Sequence, residues 1–118
     1  MDKSLTIEQA REKVKKFVDD RDWSQFHSPK NLSMDIAVEA AELMELFMWV
    51  DSTDSYKTLD EKRTKVEDEV ADIFMGILAL CNSANIDLAK AFESKLKKTE
   101  KKYPVEKSKG KNTKYTDL

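Results

Sequence analysis

The sequence predicts an all-α protein, a four-helix bundle with a polar C-terminal tail. Three observations lead there. The 118 residues include only 2 Gly and 2 Pro, too few for the turns of a β-protein or for a Gly-rich phosphate loop. Charged residues make up 37% and apolar ones 40%, a balance that suits helices with one wet face each. Apolar residues also recur at helical spacing along most of the chain.

The first helix opens at Thr6, with Gln9 at capping-box spacing, and carries Ile7, Ala10, Val14, Phe17 and Val18 as its stripe to about Asp20. Arg21–His27 reads as a loop. The second helix takes Ser28 as N-cap and Pro29 as first residue and runs to about Val50. A polar loop, Asp51–Lys57, precedes a third helix from Thr58, paired with Glu61, to about Asn82. Asn85 or Asp87 begins the fourth, which Tyr103-Pro104 stops near Lys102. Residues 1–104 form one helical domain. Residues 105–118 are a basic tail, disordered alone, with Tyr115 and Leu118 as anchors for another surface such as a neighbouring subunit.

Several classes fall away. Lys+Arg number 21 against 23 Asp+Glu, without the basic excess of a nucleic-acid binder. No apolar run approaches the roughly 18 residues of a membrane span, and the charged N-terminal stretch lacks a signal-peptide core. A cytoplasmic setting, with no membrane and no nucleic-acid polymer as partner, is the expectation. The single cysteine, Cys81, lies in an apolar run and reads as a buried, inert thiol.

The informative feature is the position of certain acids. The second helix has a stripe of Leu32, Ile36, Leu43, Leu46, Phe47 and Val50. A helix turns about 100° per residue, which puts Glu39 inside that stripe and Glu42 on its flank, with Asp35 one turn earlier. On the third helix (Val66, Val70, Ile73, Ile77, Leu80), Glu69 sits at the stripe's edge and Asp72 beside it. Gly76 lies between them in angle, and its missing side chain predicts open space beside the acids.

An E-x-x-E pair is common on a solvated helix face. Two such pairs on the apolar edges of two helices are not, because a carboxylate on a core stripe is costly unless neutralised. Neither stripe offers a Lys or Arg. Four acids that converge when the helices pack antiparallel, with no Cys or His among them, suit a hard cation such as Mg²⁺, with Mn²⁺ as substitute. A ferritin-like di-iron bundle would need Glu-x-x-His pairs, and the one His lies in a loop. A non-catalytic helical oligomerisation module explains the composition equally well, but not the acids on the stripes.

Glu39-Ala-Ala-Glu42 followed by Glu69-Val-Ala-Asp72 resembles the E-x-x-E…E-x-x-D signature of the MazG-like all-α nucleoside triphosphate pyrophosphohydrolases, relatives of the dimeric dUTPases. The block Asp22–Leu32 (DWSQFHSPKNL), the run Glu39–Trp49 (EAAELMELFMW), Lys102-Tyr103-Pro104 and the closing Lys114–Leu118 resemble the small dCTP pyrophosphatase branch more closely. The resemblance covers nearly the whole chain. It implies a Mg²⁺-dependent cut between the α- and β-phosphates, giving a nucleoside monophosphate and pyrophosphate, in a house-cleaning role with dCTP-like pyrimidines favoured. It also implies a homotetramer, a dimer of dimers, with active sites between subunits. Two positions depart from the dCTP-preferring animal members: Val14 stands where they carry His, and Gly76 where they carry Tyr.

Glu39, Glu42, Glu69 and Asp72 are then the metal-ligating and catalytic set, with one glutamate, Glu42 for choice, orienting the attacking water. Trp23 and Trp49 are candidates to stack on the base, each against the alternative of core packing. Phe26 and Asn31 are pocket-lining candidates. His27 is a further substrate-binding candidate, against the favoured alternative of a local hydrogen-bonding group in its loop. Lys95, Lys98 and Lys102, on one face of the fourth helix, and Lys30 are the candidates to meet the outer phosphates, against the ordinary alternative of solvated charge.

Overall fold

The computed structural model describes residues 3–118. They contain six α-helices and three short 3₁₀ turns and no strand: α1 Ile7–Asp20, α2 Pro29–Glu45, α3 Ser55–Glu61, α4 Arg63–Ala84, α5 Leu88–Lys102 and α6 Val105–Ser108. The all-α expectation holds. No single helix among the described residues is long and apolar enough to cross a membrane. The chain divides into two compact units, 1–86 and 87–118.

In the first unit the helix starts are chemically marked. At α1 the capping box is complete: Gln9 N donates to Thr6 Oγ1 at 3.1 Å and Thr6 N to Gln9 Oε1 at 2.9 Å. At α2 the Ser28 hydroxyl accepts from Asn31 N at 3.2 Å, and Pro29 fills the first turn, where a missing N–H costs nothing. Asp22 takes a left-handed conformation (φ 53°) that reverses the chain after α1, a conformation Asp tolerates better than most residues.

Two boundaries differ from expectation. α2 stops at Glu45 rather than Val50, because Leu46, Phe47 and Val50 donate to Leu43, Met44 and Phe47, tight i−3 bonds that close the helix as turns. The expected third helix is two helices. Thr58 is inside α3 and buried rather than capping, and the backbone bends at Lys62 (φ −117°, ψ 25°) before α4 begins. No Gly or Pro marks that bend, so hydrophobic spacing runs through it unbroken.

α4 is the spine, packed mainly against α2 and then α1. Leu78 is its fully buried side chain, with Val66, Ala79, Cys81, Leu32 and Ala10 around the core; Cys81 is buried and unpaired. Val70, expected in the core, is 52% exposed. Arg11 ties α1 to the end of α4. Its guanidinium donates to Asn82 Oδ1 (3.1 Å), Ile86 O (2.8 Å) and Cys81 O (3.2 Å), and Asn82 Nδ2 returns a bond to Arg11 O (3.0 Å). Asn85 ends α4 in the left-handed conformation (φ 54°).

In the second unit Asp87 caps α5 by accepting from Lys90 N at 3.0 Å. The segment after Pro104, expected to be disordered alone, folds back on its own unit. Tyr115 meets Tyr103 edge to face at 5.9 Å, Lys102 lies 4.7 Å over the Tyr115 ring, and Leu118 is half-buried.

Candidate active site

The first unit holds a cavity of about 660 Å³ between α1, the 23–27 loop, α2 and α4. Its upper wall is aromatic and aliphatic: Val14, Phe17, Val18, Trp23 and Phe26. Trp23 is fixed edge-on to Phe17, ring centroids 5.6 Å apart. Asn31 is held at the rim by donating to Phe26 O at 2.9 Å. His27 lines the cavity too, and its backbone carbonyl accepts from Ser83 Oγ at 2.7 Å. Glu39 and Asp72 reach the opposite end.

There α2 and α4 run antiparallel and bring carboxylate oxygens of Glu39, Glu69 and Asp72 within 4.8 Å of one another. All three residues are half-buried. Glu39 Oε2 and Glu69 Oε2 are buried with no hydrogen-bond partner. Burial, then the adjoining Glu42 carboxylate, then the charges of Asp72 and Asp35 push the Glu39 carboxyl up from 4.5 to about 7. Burial first, then Glu42, with Asp72 adding, raises Glu69 as well. Glu42 itself is exposed at the edge of this group. A hard divalent cation fits this site: the donors are all oxygen, they converge, and two lack any partner among the described residues.

The structure therefore brings Trp23, Phe26, His27, Asn31, Gly76, Glu39 and Asp72 around one cavity, with Glu69 and Glu42 in the acidic group beside it. Trp49 and Lys30 do not line it. Trp49 follows the end of α2 and is 87% exposed, because α2 closes before reaching it. Lys95, Lys98 and Lys102 lie on α5, in the second unit, and are exposed.

Gly76 does not open the space expected beside the acids. A Cβ there would stand 3.0 Å from Ile36 Cγ1 and 3.3 Å from Asp35 Oδ2. The missing side chain is what allows α2 to approach α4 closely.

A MazG-like family model matches residues 34–118. Mouse dCTP pyrophosphatase 1 is 36% identical over 115 residues, which span 96% of this chain and 68% of that protein. The chain belongs to the MazG-like family. The human dCTP pyrophosphatase 1 is 32% identical over 117 residues. The crystal structure of a pyrophosphatase from Archaeoglobus fulgidus superposes with a TM-score of 0.76 at 38% identity, covering 79% of this chain and 87% of that one.

In this MazG-like chain the cavity also takes residues that the sequence does not mark as candidates, among them Phe17, Lys13 and Met75. Phe17 was counted as core yet is 47% exposed, and it faces the cavity. Lys13, one turn before Phe17 on the same face, brings a cation to the wall. Met75 joins from α4. The α1 stripe, which ends at the Trp23 loop rather than at another helix, was the available signal.

Proposed function

We propose that this protein hydrolyses nucleoside triphosphates to the monophosphate and pyrophosphate, with Mg²⁺ held by Glu39, Glu69 and Asp72 and completed by Glu42. The enzyme class, a nucleoside triphosphate pyrophosphohydrolase, is that of its relatives. The observation that carries the reading is the pair of orphaned buried oxygens on Glu39 and Glu69 at one end of an aromatic-walled cavity of about 660 Å³. Such a cavity has the size and apolar character of a small-molecule site.

The chain's residues divide the work. Trp23 and Phe26 present ring faces to a base, worth roughly 1–3 kcal/mol per stacked contact. Lys13 adds positive charge to the wall for an anionic ligand. Glu42, exposed beside the acidic group, is the carboxylate free to take a proton from an attacking water. A bound divalent ion would supply neutralisation of the triphosphate and polarisation of the attacked phosphorus. Removal of surplus or non-standard deoxynucleotides, pyrimidines included, is the role proposed.

A homo-oligomer, a tetramer by family likeness, belongs to the same proposal. Trp49, Met44, Val38, Val70 and Phe74 are exposed on or just beyond α2 and α4, at 87, 56, 54, 52 and 42%, apolar area that neighbouring subunits would cover. Light scattering that returned the mass of a single chain would overturn the oligomer.

The deciding experiment is a panel of ribo- and deoxynucleoside triphosphates incubated with Mg²⁺, with pyrophosphate and orthophosphate measured separately. Pyrophosphate with monophosphate is expected. Accumulating diphosphate and orthophosphate, or no turnover on any triphosphate, overturns the reading.

A further inference from the structure

We infer that Asp35 is a specificity-determining residue that accepts a hydrogen bond from a sugar hydroxyl of the bound nucleotide. The inference rests on the functional reading above.

From one end of the cavity to the other, α2 and the loop before it present Phe26, then Leu32, then Asp35, then Glu39. The aromatic end suits a base, and the Glu39 end suits phosphates and their cation. A nucleotide has the same covalent order, with the sugar between base and phosphates. Asp35 precedes Glu39 by one helical turn, about 6 Å, the scale on which a sugar's hydroxyl edge is separated from its 5′-phosphate.

Asp35 is also held where a ligand could meet it. Its Oδ2 lies against the α4 backbone, 3.3 Å from the position a Cβ on residue 76 would take. Glycine at 76 gives the carboxylate that seat. The Asp35 side chain makes no hydrogen bond or ion pair among the described residues, although Lys13 lines the same cavity. An ionised carboxylate is acceptor-only, and sugar hydroxyls are the donors nearest in such an order. Hydroxyl recognition by a carboxylate recurs in dinucleotide sites, where an acid bonds the ribose.

The test compares UTP, dUTP and 2′,3′-dideoxy-UTP, which carry two, one and no free ring hydroxyls. All three carry the same base, so a base-reading role for Asp35 would act on them alike and cannot imitate the result. A hydrogen bond to a charged group corresponds to about ten- to a hundredfold. Wild-type protein is expected to favour the better of UTP and dUTP over the dideoxy compound by at least about tenfold in kcat/KM. Asp35→Ala should narrow that gap by losing more rate on the hydroxylated substrate than on dideoxy-UTP. Asp35→Asn, which retains an acceptor, should keep part of it. Equal loss on all three substrates, with a raised Mg²⁺ requirement, marks a metal ligand and overturns the inference. A wild-type enzyme indifferent to the hydroxyls overturns it as well. No pyrophosphate from any of the three overturns the functional reading itself, and the inference with it.

Discussion

Glu39 on α2 and Glu69 on α4 bring carboxylate oxygens within 4.8 Å of each other, and each buries one oxygen that has no hydrogen-bond partner among the described residues. Two like charges so placed repel, and burial strengthens the repulsion. The arrangement is stable in one of three ways: with a proton, with a cation, or at a cost in folding energy. Burial that raises both carboxyls favours the proton, and the convergent oxygens fit a cation.

The first prediction concerns loss of ligands. Glu39→Ala and Asp72→Ala should lower pyrophosphate release by about a hundred- to a thousandfold, on the scale of losing one oxyanion donor. Both variants should stay folded, because removing one acid also relieves repulsion. Their metal-free melting temperature should equal or exceed that of the parent. Near-normal turnover in either variant would refute its assignment.

The second follows from protonation. The folded Glu39 carboxyl titrates near 7 and the unfolded one near 4.5. Between those values the native state holds a proton that the unfolded state has released. The linkage slope is then negative, so this contribution to stability is full below 4.5 and is lost as pH rises through 7. Glu69 acts in the same direction. Urea unfolding in EDTA at pH 5, 6, 7 and 8 should show the parent losing stability relative to Glu39→Gln as pH rises. Millimolar Mg²⁺ should remove the difference at pH 8, since a cation competes with the proton for the same oxygens. Parallel pH profiles for parent and variant would contradict the burial of Glu39.

The third concerns Arg11. Its three donated bonds end on Asn82 Oδ1, Ile86 O and Cys81 O, a fork that joins α1 to the last turn of α4. Arg11→Met should cost about 2–3 kcal/mol, the range for bonds to a charged group. Arg11→Lys should recover less than half, because one ammonium cannot reproduce the planar fork. Because α1 also carries Val14 and Phe17 to the cavity, KM should rise more than kcat falls. Chemical denaturation and steady-state kinetics check both parts.

The acids were legible in the sequence because period and chemistry disagreed there: Glu39 and Glu69 occupy places on apolar stripes that apolar residues should hold. The helix starts at Thr6 and Ser28 were legible because capping is local. The end of α2 and the bend at Lys62 were not, since no Gly or Pro marks either and tertiary packing decides them. Gly76 was read from angle alone, which says which way a residue points but not what stands opposite; Ile36 stands there. Trp49 lies outside this cavity because α2 closes at Glu45, a stop that its sequence does not mark. Phe17 and Lys13 escaped notice because an amphipathic stripe looks the same whether it faces a core or a cavity.

The last prediction is about the base. The wall near Trp23 is built from Val14, Phe17, Val18 and Phe26, side chains that offer area and no hydrogen bonds. A site that bonds a substrate group rejects analogues lacking it by roughly 10⁴-fold or more, whereas an apolar pocket discriminates by only roughly 10–200-fold. Comparison of kcat/KM for dCTP, dTTP, dUTP and dATP should therefore span less than about a thousandfold. Trp23→Ala should raise KM for every one of them by about five- to a hundredfold, the equivalent of one lost stacking contact. Val14→His adds a donor to the apolar wall and should widen the spread among bases. A parent enzyme that prefers one base by more than about a thousandfold would exceed what apolar contact delivers. The base would then have to be read by a polar cavity residue, with Asn31, His27 and Lys13 the first to substitute.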